Sequence, residues 1–113
     1  MSDRSKKIAA LNDALRRNPT DRSLGNTYMT DGVSAIGPEF VGRAIVAVAA
    51  FDVFNADNDP YGEHDFGALD IDGQNLFWKI DYYSKADPDL GADDPSDPAT
   101  TERVLTIMLA EEY

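Results

Sequence analysis

Apolar residues at Ile8, Leu11 and Leu15, with Ala14 beside them, recur at helical spacing. They predict a first helix over "SKKIAALNDALRRN", with Ser2 or Ser5 as its cap. Arg16 and Arg17 suit its negative C-terminal end, and Asn18-Pro19 stops it. "LGNTYMTDG" reads as a short strand ending in Asp31-Gly32. Pro38 then sits at a favourable first helical position. Phe40, Ala44, Ala47, Val48 and Phe51 form one stripe behind it, and Val41, Ile45, Val48 and Val53 widen it. A helix apolar over so much of its surface is normally buried, so this one is expected at the centre of the fold.

The period then changes from helical to alternating. "DFGALDIDGQNLFWKIDYYS" predicts a hairpin turning at Asp72-Gly73. That turn fixes the register, with Ile71 opposite Gln74, Leu69 opposite Leu76 and Gly67 opposite Trp78. Gly67, Leu69, Ile71, Leu76, Trp78, Ile80 and Tyr82 then share the core face. Gly67 leaves room for the indole of Trp78. The opposite face carries Phe66, Ala68, Asp70, Phe77, Lys79, Asp81 and Tyr83, and is aromatic for a solvated surface. "KADPDLGADDPSDP" has no periodicity and reads as a surface loop. "ATTERVLTIMLAEEY" satisfies both periods, and strand formers on both faces favour a strand beside the hairpin. The expected fold is a single compact α+β domain over residues 1–113. A small antiparallel sheet, the hairpin at about 65–83 plus one or two further strands, packs on two or three helices.

Charge changes this picture more than composition does. The net charge is −11, and it is uneven. Residues 1–43 carry seven basic and five acidic side chains; residues 44–113 carry three and sixteen. Such a field repels nucleic acid and anionic membranes, so a basic protein surface is the expected partner, with the protein itself a monomer or homodimer. A purely solubilising role for the acids is the bland alternative. There is no cysteine, which excludes thiol chemistry, disulfides and cysteine-ligated zinc. No apolar run resembles a leader or a bilayer span, so a soluble cytoplasmic protein is expected.

The chemical candidates centre on "NDPYGEHDFG", which holds the only histidine, His64, among Asp57, Asp59, Glu63 and Asp65. The hairpin register places His64 opposite Asp81, an ion pair that explains it without chemistry. Asn55, Asp57 and Asp59 resemble the start of a calcium loop. Pro60 stands where that loop needs glycine, and Phe66 where it needs glutamate. No nucleophile elbow or phosphate-cradling glycine loop is present. No catalytic residue, metal ligand or cofactor is therefore expected. An acid–base or ion site on His64 and its carboxylates is the alternative reading, and a dimeric adaptor using the aromatic face is another.

"DNDPYGEHDFG", "FWKIDYY", the repeated Asp-Pro steps and "RVLTIMLAEEY" together resemble an uncharacterised alphaproteobacterial family, domain-of-unknown-function family 3768. The resemblance covers residues 8–17 and most of 38–113. It transfers no activity, but it implies an accessory role carried on mobile elements, in defence or counter-defence. Joined to the charge, it points to a non-enzymatic acidic inhibitor of a nucleic-acid-binding defence complex, in the manner of anti-CRISPR or anti-restriction DNA mimics. The expected partner-binding residues are Asp87, Asp89, Asp93, Asp94 and Asp97 in the loop, with Asp70, Asp81, Phe66, Phe77 and Tyr83 on the outer hairpin face.

Overall fold

A computed structural model describes residues 2–113. Helix α1 spans Asp3–Arg17, strand β1 Asn26–Met29, helix α2 Asp31–Ile36 and helix α3 Pro38–Ala50. Strands β2 (Phe66–Ile71), β3 (Gln74–Ser84) and β4 (Thr101–Leu109) follow, with a short 3-10 turn at Ala110–Glu112. The α+β class holds. The sheet is mixed, however, with order β1-β4-β3-β2. β2, β3 and β4 are antiparallel, whereas β1 runs parallel to β4 from Asn26 opposite Val104 to Met29 opposite Ile107. The departure from an all-antiparallel sheet follows from connectivity, because two helices and a hairpin separate the paired strands.

Local signals set most of the boundaries. Ser2 caps α1 by accepting from the Ser5 N–H, and Asn18 closes it by donating to the Ala14 and Leu15 carbonyls before Pro19. Asp31-Gly32, expected to end a strand, instead opens α2. Thr30 offers that helix no side-chain cap. Glu112 does so from the far end of the chain: Oε2 accepts from the Gly32 N–H at 3.0 Å and Oε1 from the Thr30 hydroxyl at 2.6 Å.

The hairpin register is the expected one, from Ile71 opposite Gln74 to Gly67 opposite Trp78. Trp78 is fully buried. A Cβ on Gly67 would lie 2.3 Å from the indole nitrogen, so only glycine fits there. β4 is a strand, as favoured, and lies in the middle of the sheet. Its inward residues Leu105, Ile107 and Leu109 and its outward Met108 are all buried, which is why its sequence showed no clean alternation.

Leu15, Val33, Phe40, Ala44 and Val48 of the helices pack on Leu76, Trp78, Ile80, Leu105, Ile107 and Leu109 of the sheet. α3 lies over this core but is not enclosed by it. Phe40, Ala44 and Val48 are buried, whereas Val46 is 69% exposed and Ala50 is open to solvent. One layer of sheet covers one side of a helix, and the opposite side of α3 has nothing to pack on. No helix is long and apolar enough to cross a membrane among the described residues.

Candidate functional site

The inner face of α1 carries polar residues in line with its apolar stripe. Asn12 and Arg16 are as buried as Ile8 and Leu15. Arg16 Nη1 donates to the Val48 and Phe51 carbonyls at 2.7 and 2.9 Å, capping the negative end of α3. Nη2 donates to Asp13 Oδ1 at 2.6 Å, and the guanidinium lies over the rings of Trp78 and Phe54. Arg16 thus serves the end of α3, not that of its own helix.

Asn12 ties three elements together. Its Nδ2 donates to the Glu63 carbonyl and to Tyr82 Oη, and its Oδ1 accepts from Arg103 Nε at 2.8 Å. Tyr82 in turn donates weakly to Asp65 Oδ2 at 3.4 Å. Burial pushes the Tyr82 hydroxyl well above its ordinary value and lowers that of Arg103. Asp65 is also raised, by burial first and then by the charge of Asp59. Glu63 is raised by burial and by Asp65.

His64 is not opposite Asp81. The chain leaves the hairpin line here, with φ of +57° at His64 and +68° at Gly62. Asp59 enforces the turn, because its Oδ1 accepts from the N–H groups of Glu63 and His64 at 3.1 and 3.2 Å. The imidazole swings toward α1. Its Nδ1 lies 3.0 and 3.2 Å from the Asp13 carboxylate oxygens, and its Nε2 lies 3.7 Å from Asp59 Oδ2. Phe54 stacks flat on the ring, with centroids 3.9 Å apart.

A groove of about 510 Å³ opens beside this histidine, between α1 and the segment 52–65. Ala9, Ala10, Phe54 and Ala56 give it apolar walls, with Asp59 and His64 at one end and Lys6 also lining it. The calcium-like residues are occupied with their own loop: Asn55 Oδ1 accepts from the Asp57 and Asn58 N–H groups. Among the described residues no group of three or more His, Asp or Glu side chains is arranged to hold a metal.

The expected partner-binding residues fall into three places. Phe66 and Phe77 stack at 5.3 Å, and Tyr113 closes over both at 6.0 and 5.4 Å. Tyr83 is six residues from Phe77 along β3, about 20 Å away, so the three rings do not form one contact centre. Asp81 pairs with Lys79 at 3.0 Å, and Asp70 accepts from the Gly73 N–H in the turn. In the β3–β4 loop, Asp94 accepts from Ser96 and pairs with exposed Arg4. Those hydrogen bonds hold its carboxyl below the usual range. Asp87 and Asp97 accept from the N–H groups of Asp89 and Ala99. Asp87, Asp89, Asp93 and Asp97 form no ion pair among the described residues.

Asn12, Asp13, Arg16, Tyr82 and Arg103 were not anticipated as a group. The available signals were an asparagine and an arginine on the apolar stripe of α1, and an arginine at an inward position of β4.

Three helices on one face of the sheet, and on the other only the C-terminal turn and Tyr113, define an open-faced α+β protein whose polar side chains gather where α1 meets the segment 52–65. Residues 29–112 match the family model described as "Protein of unknown function (DUF3768)", and the chain belongs to that family. The match begins at Met29, so α1 and its polar residues lie outside it, although residues 8–17 carried part of the resemblance. No curated protein and no solved structure matches the chain.

Proposed function

We propose that this is a non-enzymatic interaction protein whose outward carboxylates dock on a basic protein surface. In that role it inhibits a nucleic-acid-binding defence complex, as an anti-CRISPR or anti-restriction protein does. The observation that carries this reading is the β3–β4 loop. Its hydrogen bonds hold Asp87, Asp94 and Asp97 in fixed turns, while Asp87, Asp89, Asp93 and Asp97 have no basic partner among the described residues. A prearranged row of unpaired charge steers association with an oppositely charged surface and loses little entropy on docking.

The test is capture on the immobilised protein from its native host, with elution along a salt gradient. The captured complex is then assayed for nucleic-acid binding with and without the protein. A basic complex that elutes at high salt and loses its nucleic acid supports the reading. The variant with Asp87, Asp89, Asp93 and Asp97 all changed to Asn should associate more slowly and with weaker salt dependence. Unchanged kinetics in a folded variant would leave the charge a solubilising role only.

A further inference from the structure

The β3–β4 loop does not account for the groove beside α1's polar junction. That groove has three properties of a small-ligand site. Its volume lies within the range of organic-ligand pockets, and its walls are apolar with a few convergent polar groups at one end. The third property is an acceptor that no protein donor occupies. Asp59 is 6% exposed, yet it spends only Oδ1 on the loop backbone. Among the described residues its Oδ2 accepts no hydrogen bond, and its nearest basic group is His64 Nε2 at 3.7 Å. Asp59 lines the groove, so this oxygen is open to a donor there.

The histidine tautomer sharpens the point. The Asp13 carboxylate is acceptor-only, so Nδ1 carries the proton that it shares with Asp13. In the neutral ring, Nε2 is then a second acceptor, facing Asp59 Oδ2. Two acceptors 3.7 Å apart are bridged by one nitrogen that donates to both at about 2.9 Å each. Asp13 and Asp59 line the groove against a single lysine, Lys6. Glu63 and Asp65 lie close enough to Asp59 to feel its charge, while Arg16 is already committed to Asp13 and the end of α3.

We propose that the groove between α1 and the segment 52–65 binds an organic ammonium ion with an apolar body, its nitrogen held between Asp59 Oδ2 and His64 Nε2. The body lies over Ala9, Ala10 and Ala56. Asp13 orients the imidazole and does not touch the ligand. The site is independent of the acidic loop, so it stands or falls apart from the inhibitor reading.

The experiment is a titration of the full chain with phenethylammonium chloride, followed by NMR at the His64 ring and the Phe54 side chain. Hydrocinnamate, of similar shape and opposite charge, is the control. Saturable shifts with the ammonium and none with the carboxylate are expected. Asp59→Asn keeps an oxygen for the two backbone N–H groups but removes the charge, and should weaken binding about tenfold or more. Ala10→Trp fills the groove from an exposed helix position and should abolish binding without altering the fold. The proposal is overturned if the ammonium gives no saturable shift, if hydrocinnamate binds equally, or if a folded Asp59→Asn binds like the parent. Should Asp59→Asn not fold, undiminished binding by Ala10→Trp overturns it.

Discussion

Two aspartate-rich loops of this protein carry five acidic side chains each and use them differently. The segment 52–65 leaves Asp52 and Asp57 exposed but turns Asp59 and Asp65 inward. Asp59 is buried, ties down two backbone N–H groups and faces His64, while Asp65 lies under the Tyr82 hydroxyl. The β3–β4 loop turns its acids outward, and spends them on its own turns or on solvent. The difference comes from what each loop packs against. The first lies on α1, whose Asn12, Asp13 and Arg16 reach across to it. The second is anchored mainly by backbone bonds and by Arg103 and Thr101, which contact the Pro95 and Asp94 carbonyls. Counting carboxylates therefore says nothing about which of them build the fold and which charge its surface.

The contrast is broken most severely at Arg16. Arg16→Ala removes the cap of α3 and the buried partner of Asp13, and should cost roughly 3–5 kcal/mol in urea unfolding. A loss below about 1 kcal/mol would mean that the inward loop is not held by α1.

A smaller loss is expected from Asp59→Ala, about 1–3 kcal/mol, since the Glu63 and His64 N–H groups lose their acceptor. Hydrogen exchange should rise at those two amides before it rises in the sheet.

Asp65 sharpens the comparison through pH. Its folded value is raised, so its contribution is most favourable below the ordinary carboxylate range and is lost as pH rises through the raised value. Asp65→Asn should consequently melt higher than the parent at neutral pH. The two should converge in acid, where Asp65 is protonated both folded and unfolded. A variant less stable than the parent at neutral pH would show that the Tyr82 contact outweighs burial of the charge.

The smallest effect belongs to the outward loop. Asp89→Asn with Asp93→Asn should leave stability within about 0.5 kcal/mol of the parent. A larger loss would erase the distinction between the two loops.

What was legible in the sequence followed from short range. Asp72-Gly73 fixed a register that placed Gly67 beside Trp78, and Pro38 marked the start of α3. Strand β4 was readable, although its burial on both faces blurred its period. A ladder continued straight through His64 sets it opposite Asp81, but Asp59 bends the chain just before the strand. The polar junction joins Asn12 to Arg103 and Asp13 to His64. No local spacing encodes contacts between residues so far apart. The helix cap that Glu112 supplies to α2 is likewise encoded by no local spacing.

The position of β4 between β1 and β3 has a consequence in time. β1 pairs only with β4, so the first strand to be made has no partner until the last one exists. The β2–β3 hairpin is local in sequence whereas the β1–β4 pairing spans most of the chain, so the hairpin is expected to form first. During synthesis the growing chain therefore carries β1 and α2 without their sheet contacts or the Glu112 cap. Until β4 docks, the sheet is the β2–β3 hairpin alone, with β3 presenting an open edge to any other strand.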